Sequence, residues 1–224
     1  MIARRSRRMP WLRRASLALA ALAGAVPATA VAQAEFRVTA LSAPTVRNGV
    51  VGTAAQQFTG TGGTVEVLAR FAFGGLHVRS FGADLDRGLG VANLDARVVL
   101  GPQWLSVEAG RTQRALVGEL ASSQYTLNRV GLRSTFPLGG SGLRGMIGAW
   151  SMQGATLPTG VREASGLEGE TALLYRLRRL PVFVQVGYRA ESYAVTLNGN
   201  RSAPEEMGVL TLGGGFSFGP AARR

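Results

Sequence analysis

Residues 92–100 read ANLDARVVL, and apolar and polar side chains alternate along this stretch. The apolar positions are Ala92, Leu94, Ala96, Val98 and Leu100, and the polar positions between them are Asn93, Asp95 and Arg97. On a helix these charges would be scattered around the circumference. A repeat of two residues instead places them on one face, which is typical of a β-strand.

The same alternation recurs along the chain, between clusters of Gly, Pro, Asn and Ser that favour turns. The ten runs lie near residues 36–43, 64–73, 76–82, 91–100, 104–112, 125–136, 143–152, 169–177, 182–192 and 207–218. If the weaker runs belong to loops, the number of strands is eight. The sequence therefore predicts an all-β fold of about ten strands in a single domain.

The connectors between these runs alternate in length. The long connectors are 44–63, 83–90, 113–124, 153–168 and 193–206, and the short ones are 74–75, 101–103, 137–142 and 178–181. This order predicts a closed antiparallel up-and-down transmembrane β-barrel, with short turns in the periplasm and longer loops outside. A soluble barrel with its apolar face inward is the alternative, because alternation alone does not say which face is inside.

The aromatic residues lie near the strand ends, which favours the membrane barrel, since amphipathic rings prefer the two membrane interfaces. Those expected at the short-turn rim are Phe36, Phe71, Phe73, Trp104, Phe136, Tyr175, Phe183, Phe216 and Phe218. Those expected at the long-loop rim are Phe81, Tyr125, Trp150, Tyr188 and Tyr193. Phe81, Trp104, Trp150 and Phe183 have the wrong parity for the lipid-facing side unless bulges shift them.

The last run ends in TLGGGFSF, residues 211–218. Thr211, Gly213, Phe216 and Phe218 have the spacing of the closing-strand signal and resemble the C-termini of bacterial outer-membrane β-barrel proteins. The resemblance implies insertion into the outer membrane by the barrel assembly machinery, and contact with lipid and lipopolysaccharide. Residues 219–224 depart from the pattern, which commonly stops at the final aromatic, and are expected to form a periplasmic tail.

The N-terminus carries the features of a secretory signal. Six arginines precede the uncharged apolar run 15–26, and the small residues 28–34 follow, so that residues 1–34 are predicted to be a signal peptide and 35–218 the barrel. The apolar run is too short to span a bilayer as a helix. The chain has a net charge of +12, and these six arginines carry half of it. Nucleic acid is therefore not predicted as a partner.

If the apolar face meets lipid, the polar face lines the interior. The residues predicted to line it are Arg37, Glu66, Arg70, His77, Arg79, Asp95, Arg97, Glu108, Arg129, Arg133, Arg144, Glu170, Arg176, Arg189 and Glu191. Barrels of about eight strands are filled by their own side chains, so the first interpretation is a network of ion pairs and water in a structural envelope protein. The second is a narrow pore that favours anions, because arginines outnumber carboxylates in this set.

Two further classes remain open. A surface adhesin would use the long connectors, above all 44–63 and 153–168. An outer-membrane hydrolase would need a general base, but the only histidine is His77, at a strand start beside the short turn, and Ser80 has the opposite parity. The chain contains no Cys, which excludes disulfides and thiolate metal sites. We expect no enzyme activity, no cofactor, no metal site and no catalytic residue.

Overall fold

The computed structural model describes residues 33–48, 56–71, 74–117, 122–139, 142–157, 161–177, 180–197, 200–201 and 205–218. Residues 1–32 of the predicted signal peptide and the predicted tail 219–224 lie outside the described residues. The first strand begins at Gln33, so the predicted cleavage point after Ala34 falls at the start of this strand.

The described chain is almost entirely extended, as the repeat of two residues predicts. The strands are β1 (Gln33–Asn48), β2 (Gln56–Arg70), β3 (Gly74–Leu85), β4 (Gly90–Leu100), β5 (Ser106–Val117), β6 (Ser122–Pro137), β7 (Leu143–Thr156), β8 (Val161–Arg176), β9 (Val182–Leu197), β10 (Asn200–Arg201) and β11 (Glu205–Phe218). A short 3₁₀ turn, Asp86–Gly88, joins β3 to β4. Within the described residues no helix has the length and apolar character needed to cross a membrane.

The ten long strands form a closed antiparallel ring. Each pairs with its neighbours in sequence, and β1 closes the ring by pairing with β11, so that Ala34 lies opposite Phe218. The two-residue β10 adds only a short pairing to the end of β9. The predicted up-and-down barrel of ten strands is therefore confirmed. We call the end that carries Ala34 and Phe218 the terminal end, and the opposite end the hairpin end.

The outside of the barrel carries an apolar belt. Its most exposed members include Val98, Leu100, Val107, Val130, Leu132, Ile147, Leu173, Val184, Val186, Leu210, Leu212, Phe216 and Phe218. The arginines and carboxylates on the alternate positions of the same strands are buried inside. A water-soluble barrel would have the opposite arrangement, since exposed apolar area of this extent is unfavourable in water. The orientation required for a lipid environment is confirmed.

The prediction of long connectors at the hairpin end is wrong, because the strands continue through most of them. The predicted loop 44–63 is largely strand, since β1 runs to Asn48 and β2 begins at Gln56. The predicted loop 153–168 is likewise occupied by the end of β7 and by the start of β8 at Val161. Polar outer faces made these strand ends resemble loops in the sequence.

Beyond the apolar belt, the two faces of the strands exchange their character. Outside, polar side chains such as Thr61, Arg111, Asn128 and Glu163 are exposed. Inside, buried apolar side chains form two clusters, one of Phe58, Phe81, Ala83, Leu85, Val91, Leu116, Met207 and Val209, the other of Leu127, Met152 and Ala164. We call this part the hairpin extension. It packs like a water-soluble β-protein, which indicates that it projects from the membrane into water.

The prediction of two aromatic rims is only half correct. Phe71, Trp104, Phe136, Tyr175, Phe216 and Phe218 are exposed at the terminal end, whereas Phe73 lies outside the described residues. Phe81, Trp150, Phe183 and Tyr193 are instead buried in the interior. Their parity in the sequence was the correct guide, and no bulge moves them to the lipid side. Among the described residues the barrel has one outer aromatic rim, at the terminal end, while Tyr188 is exposed on the outer face and Phe81, Trp150, Phe183 and Tyr193 fill the lumen.

The boundary between belt and extension predicts unequal tolerance of charge along one strand. Leu132 and Asn128 lie on the same outer face of β6, with Leu132 inside the belt and Asn128 beyond it. Leu132→Arg should lower the free energy of unfolding in lipid vesicles by about 2–4 kcal/mol, and Asn128→Arg by about 1 kcal/mol or less. Urea titration of the folded protein in phosphatidylcholine vesicles measures both. Equal losses would contradict the assigned boundary.

Candidate functional site in the barrel interior

The interior between the hairpin extension and the terminal end is filled with charged side chains, which we call the ionic layer. Most residues expected to line the lumen are buried there, namely Arg37, Glu66, Arg70, His77, Arg79, Asp95, Arg97, Glu108, Arg129, Arg133, Arg189 and Glu191. Arg144, Glu170 and Arg176 are only partly buried. The structure thus gathers the buried charged residues of seven strands, β1 to β6 and β9, into one group.

Strand register produces a row of alternating charge across the sheet. Arg37 lies opposite Glu66, Glu66 opposite Arg79, Arg79 opposite Asp95, and Asp95 opposite Thr112. Opposite charges on directly facing positions attract, whereas like charges there repel. A register shift of one residue in any of these strands would turn its charges toward lipid, so the row and the register support each other.

Asp95 is the most heavily used carboxylate of the ionic layer. Its oxygens accept a hydrogen bond from Arg79 Nε at 2.7 Å, one from Arg97 Nη2 at 3.1 Å and one from Thr112 Oγ1 at 2.6 Å. Arg129 Nη1 also lies 3.3 Å from Asp95 Oδ1. One acid therefore serves three guanidinium groups, which links β3, β4, β5 and β6 through side chains as well as through the backbone.

Glu168 and Glu170 extend this group across the lumen to β8. Glu168 accepts a hydrogen bond from Arg79 Nη2 at 3.1 Å and pairs closely with Arg129. Glu170 accepts one from Arg79 Nη1 at 3.2 Å. Arg79 thereby bridges three carboxylates on two opposite walls of the barrel. Charge-assisted hydrogen bonds of this kind are stronger than neutral ones and fix the geometry of the planar guanidinium.

The single histidine lies in the same layer, between two carboxylates. His77 Nε2 is 2.8 Å from Glu66 Oε1, and His77 Nδ1 is 3.6 Å from Glu108 Oε2. Its side chain is fully buried, with 0% exposure, and Glu108 also accepts a hydrogen bond from Arg97 at 2.8 Å. The imidazole is thus a member of the ion-pair network rather than a group facing a cavity or solvent.

A second cluster lies next to the hairpin extension. Arg114 donates hydrogen bonds to Glu191 at 2.6 Å and to Glu205, and Tyr193 donates one to Glu205 at 2.7 Å. The Arg114 guanidinium also lies 4.9 Å from the centre of the Tyr193 ring, within the range of a cation–π contact. This cluster joins the ionic layer to the apolar interior above it.

Trp150 occupies the centre of the ionic layer. The guanidinium carbons of Arg97, Arg129 and Arg133 lie 4.9, 5.0 and 5.8 Å from the centre of its ring. Three cations near one another repel, but the negative face of an indole offsets part of that repulsion. The ring also displaces water from the lumen, which strengthens the surrounding ion pairs.

Two interior glycines make room for the Trp150 ring. A Cβ atom at Gly148 would lie 2.2 Å from the indole, and one at Gly131 would lie 2.5 Å from it and 2.1 Å from the Ala149 carbonyl oxygen. Any side chain at either position would therefore collide with the ring. The sequence alternates small and large residues on this wall because the lumen is too narrow for large ones throughout.

Several interior residues were not predicted to line the lumen. They are Glu35, Thr112, Arg114, Glu168 and Glu205. Arg114, Glu168 and Glu205 had been assigned to connectors, although each continues the parity of a neighbouring lumen residue such as Glu108 or Glu170. Extending each run with its parity unchanged would have found them. Their inclusion brings the buried acids close in number to the buried arginines.

The four residues of the C-terminal motif lie on both faces of β11. Phe216 and Phe218 are exposed on the outside and stack with their ring centres 6.3 Å apart. Thr211 points inward and donates a hydrogen bond to the Gly187 carbonyl at 3.1 Å. The glycines of this strand leave space inside, and a Cβ at Gly215 would lie 2.8 Å from the Phe183 ring.

Within the described residues no group of three or more acidic or histidine side chains has a geometry suited to a metal ion.

The ionic layer predicts a large loss of stability when one acid is neutralised. Glu168→Gln keeps the shape of the side chain but removes one of the three carboxylates that Arg79 contacts and the closer of the two beside Arg129. We expect the free energy of unfolding to fall by about 3–5 kcal/mol, since removing one member of a buried ion-pair group is strongly destabilising. Glu163→Gln is the matched control, because Glu163 is exposed on the outer face of the same strand. Denaturant unfolding in detergent compares the two, and similar effects would argue against the network.

The glycine niche predicts a coupled pair of substitutions. Gly148→Ala should destabilise the barrel by about 1–3 kcal/mol, the usual range for overpacking. In a Trp150→Leu background the same change should cost less than half as much, because the ring that it meets is gone. A double-mutant cycle of unfolding free energies measures this coupling. Strict additivity would mean that Gly148 is required for a reason other than the indole.

No protein-family model matches the chain, and no curated protein matches it. Among solved structures, the outer-membrane protease OmpT from Escherichia coli is 9% identical, covering 83% of this chain and 96% of that one with a TM-score of 0.45. Ail, the attachment invasion locus protein of Yersinia pestis, in complex with the heparin analogue sucrose octasulfate, is 10% identical, with coverages of 83% and 98% and a TM-score of 0.32. A second Ail structure is 11% identical, with coverages of 84% and 99% and a TM-score of 0.29.

Likenesses at this level assign no role to any residue of this chain. The physical features of the chain itself are more informative. It has a closed ring of ten strands, an outer apolar belt with an aromatic rim, and an interior of buried ion pairs. These are the features that a lipid bilayer requires of a β-barrel. The chain is therefore a closed ten-stranded antiparallel β-barrel with the outer surface of a membrane-spanning protein.

Proposed function

We propose that the protein is a closed, non-conducting barrel with a structural role in the outer membrane. The observation that carries the proposal is the filled lumen. The charged side chains of the ionic layer are almost completely buried, and the apolar clusters of the hairpin extension lie above them. A solute crossing the barrel would have to separate buried ion pairs and then pass through an apolar layer, and both steps are costly.

The charge distribution also favours a structural role over an anion pore. The predicted excess of arginine in the lumen shrinks once Glu35, Glu168 and Glu205 are counted among the buried acids. Selective pores use rings of one charge sign that face water. Here Arg79, Arg97 and Arg114 face carboxylates at hydrogen-bonding distance, so that their charge is compensated inside the protein.

The contacts of His77 give little support to the hydrolase alternative. A general base needs access to a substrate and a nucleophile within hydrogen-bond reach. His77 has 0% exposure and its nearest polar contact is Glu66. Ser80 lies on the same strand with opposite parity. A structural role for the imidazole, as a bridge between two carboxylates, accounts for these contacts.

A surface-binding role is the second candidate, and the hairpin extension favours it. The strands continue past the belt with their own apolar interior, so they hold a polar outer surface in a fixed shape. Binding residues are commonly positioned by a rigid scaffold, and the extended strands form such a scaffold beyond the membrane. The binding residues would then lie at the ends of the strands. Much of the predicted connectors 44–63 and 153–168 belongs to these strand ends.

We also propose that the C-terminal motif directs assembly by the barrel assembly machinery. Phe216 and Phe218 offer two stacked rings on the outer face of the closing strand, and Thr211 and Gly213 keep its inner face small. Because β11 pairs with β1, it must be delivered in register before the ring can close.

The proposed function predicts the absence of channel activity. The folded protein, inserted into planar bilayers in concentrated KCl, should give no reproducible current steps. A gel of the same protein sample is the control for folding. A folded barrel should give a band that migrates faster without boiling than after boiling. Stable steps with a preference for anions would instead support the arginine-lined pore and overturn the closed barrel.

A further inference from the structure

Below the ionic layer, the terminal end of the barrel contains a small cavity, which we call the basic vestibule. It has a volume of about 40 Å³, and the charged side chains that line it are Glu35, Arg37, Arg70, Arg133, Arg144 and Arg176. At about one probe sphere per water molecule, a space of this size holds roughly three water molecules. Five of its six charged groups are positive.

The chain itself compensates only part of this charge. Arg37 is paired with Glu35 at 2.8 Å and lies 3.4 Å from Glu66. Arg70 donates a hydrogen bond to the Gly101 carbonyl at 3.3 Å, which is a neutral acceptor. Among the described residues, Arg144 and Arg176 have no carboxylate partner. The vestibule is therefore electropositive, in contrast to the compensated layer above it.

Arg133 forms the floor of the vestibule and is incompletely satisfied. Its side chain is 3% exposed, and none of its three guanidinium nitrogens has a hydrogen-bond partner. The nearest carboxylate oxygens, on Glu108, Glu66 and Glu170, lie 3.4–3.6 Å away. A buried donor without an acceptor is unfavourable. An oxyanion in the cavity would supply the missing acceptors.

The local backbone holds the arginines at the mouth together. β7 and β8 are adjacent, and Arg144 is the second residue of β7 while Arg176 is the last residue of β8. Gly142 has a φ of 82°, in the left-handed region, and its carbonyl accepts a hydrogen bond from Arg176 N at 3.1 Å. This turn fixes both guanidinium stems on the same side of the opening.

We propose that the basic vestibule binds a small oxyanion of the phosphate class. Guanidinium groups match phosphate oxygens with paired, charge-assisted hydrogen bonds. Arg144 and Arg176 contact the ion from the mouth, and Arg133 contacts it from the floor. The phosphate group is either free inorganic phosphate or the headgroup phosphate of an anionic lipid, and the two sources share the same chemistry at the site.

The test is a calorimetric titration. Inorganic phosphate is added at constant ionic strength to the folded protein in detergent, and the heat of binding is measured. A saturable one-to-one isotherm is expected. Arg144→Gln combined with Arg176→Gln should weaken binding by at least about tenfold, because one charge-assisted hydrogen bond corresponds to roughly that factor. The unfolding midpoint without phosphate should stay unchanged, since neither arginine has a carboxylate partner to lose.

Arg111→Gln combined with Arg162→Gln is the matched control. It removes the same charge from exposed positions on the hairpin extension, far along the barrel from the vestibule. This variant should bind phosphate as the unchanged protein does. Equal weakening in both double variants would mean that binding follows net charge alone, and would overturn the site.

A second arm separates the two sources of phosphate. The protein is placed in nanodiscs of phosphatidylcholine, with or without phosphatidic acid, and its unfolding midpoint is measured. Stabilisation by phosphatidic acid that is lost in the Arg144→Gln, Arg176→Gln variant, without binding of inorganic phosphate, assigns the site to a lipid headgroup. Binding of inorganic phosphate alone assigns it to the free ion. Absence of both effects overturns the proposal.

Discussion

The structure depends on compensation of charge inside a narrow cylinder that lipid surrounds. Side chains alternate between the two faces of each strand, so when one face contacts lipid the polar face must point into the lumen. Inside the lumen the polar side chains meet neither bulk water nor counterions. Each buried guanidinium must therefore find its partners within the protein. Asp95 with its three arginines and Arg79 with its three carboxylates meet this requirement. Such pairing contributes little net stability but makes loss of any member costly, so it acts chiefly to fix the register.

The same requirement explains why one strand changes its pattern along its length. On β3, His77 and Arg79 face the ionic layer, and Phe81 and Leu85 on the same face enter the apolar cluster of the hairpin extension. Along this strand the inner face is charged where the outside is apolar, and it is apolar where the outside is polar. The medium outside the wall determines the character of the wall's inner face, because a strand with two apolar faces in water, or two polar faces in lipid, would be unfavourable.

This change in the character of the two faces also explains which parts of the structure could be predicted from the sequence and which could not. The repeat of two residues in runs such as 92–100 predicted the strands, their number and the burial of Asp95 and Arg97. Parity also predicts that Trp150 and Phe183 are buried, in conflict with the expectation of two aromatic rims, and here parity is correct. The bounds of the hairpins could not be obtained in this way, because a polar outer face beyond the membrane looks like a loop. Contacts between distant strands, such as Glu168 with Arg129, depend on barrel closure and carry no local signal.

The uneven distribution of charge along the barrel follows from unequal desolvation. In the ionic layer Arg79, Arg97 and Arg129 are almost completely removed from water, so leaving them without carboxylates would be strongly unfavourable. At the terminal end Arg144 and Arg176 remain partly exposed, and water offsets the lack of a carboxylate. The barrel can therefore fold with the vestibule unliganded and still attract an anion to it. A surplus of cations is tolerated at the terminal end because these side chains lie close to the surface and keep contact with water. The same surplus a few residues deeper in the lumen would prevent closure of the ring.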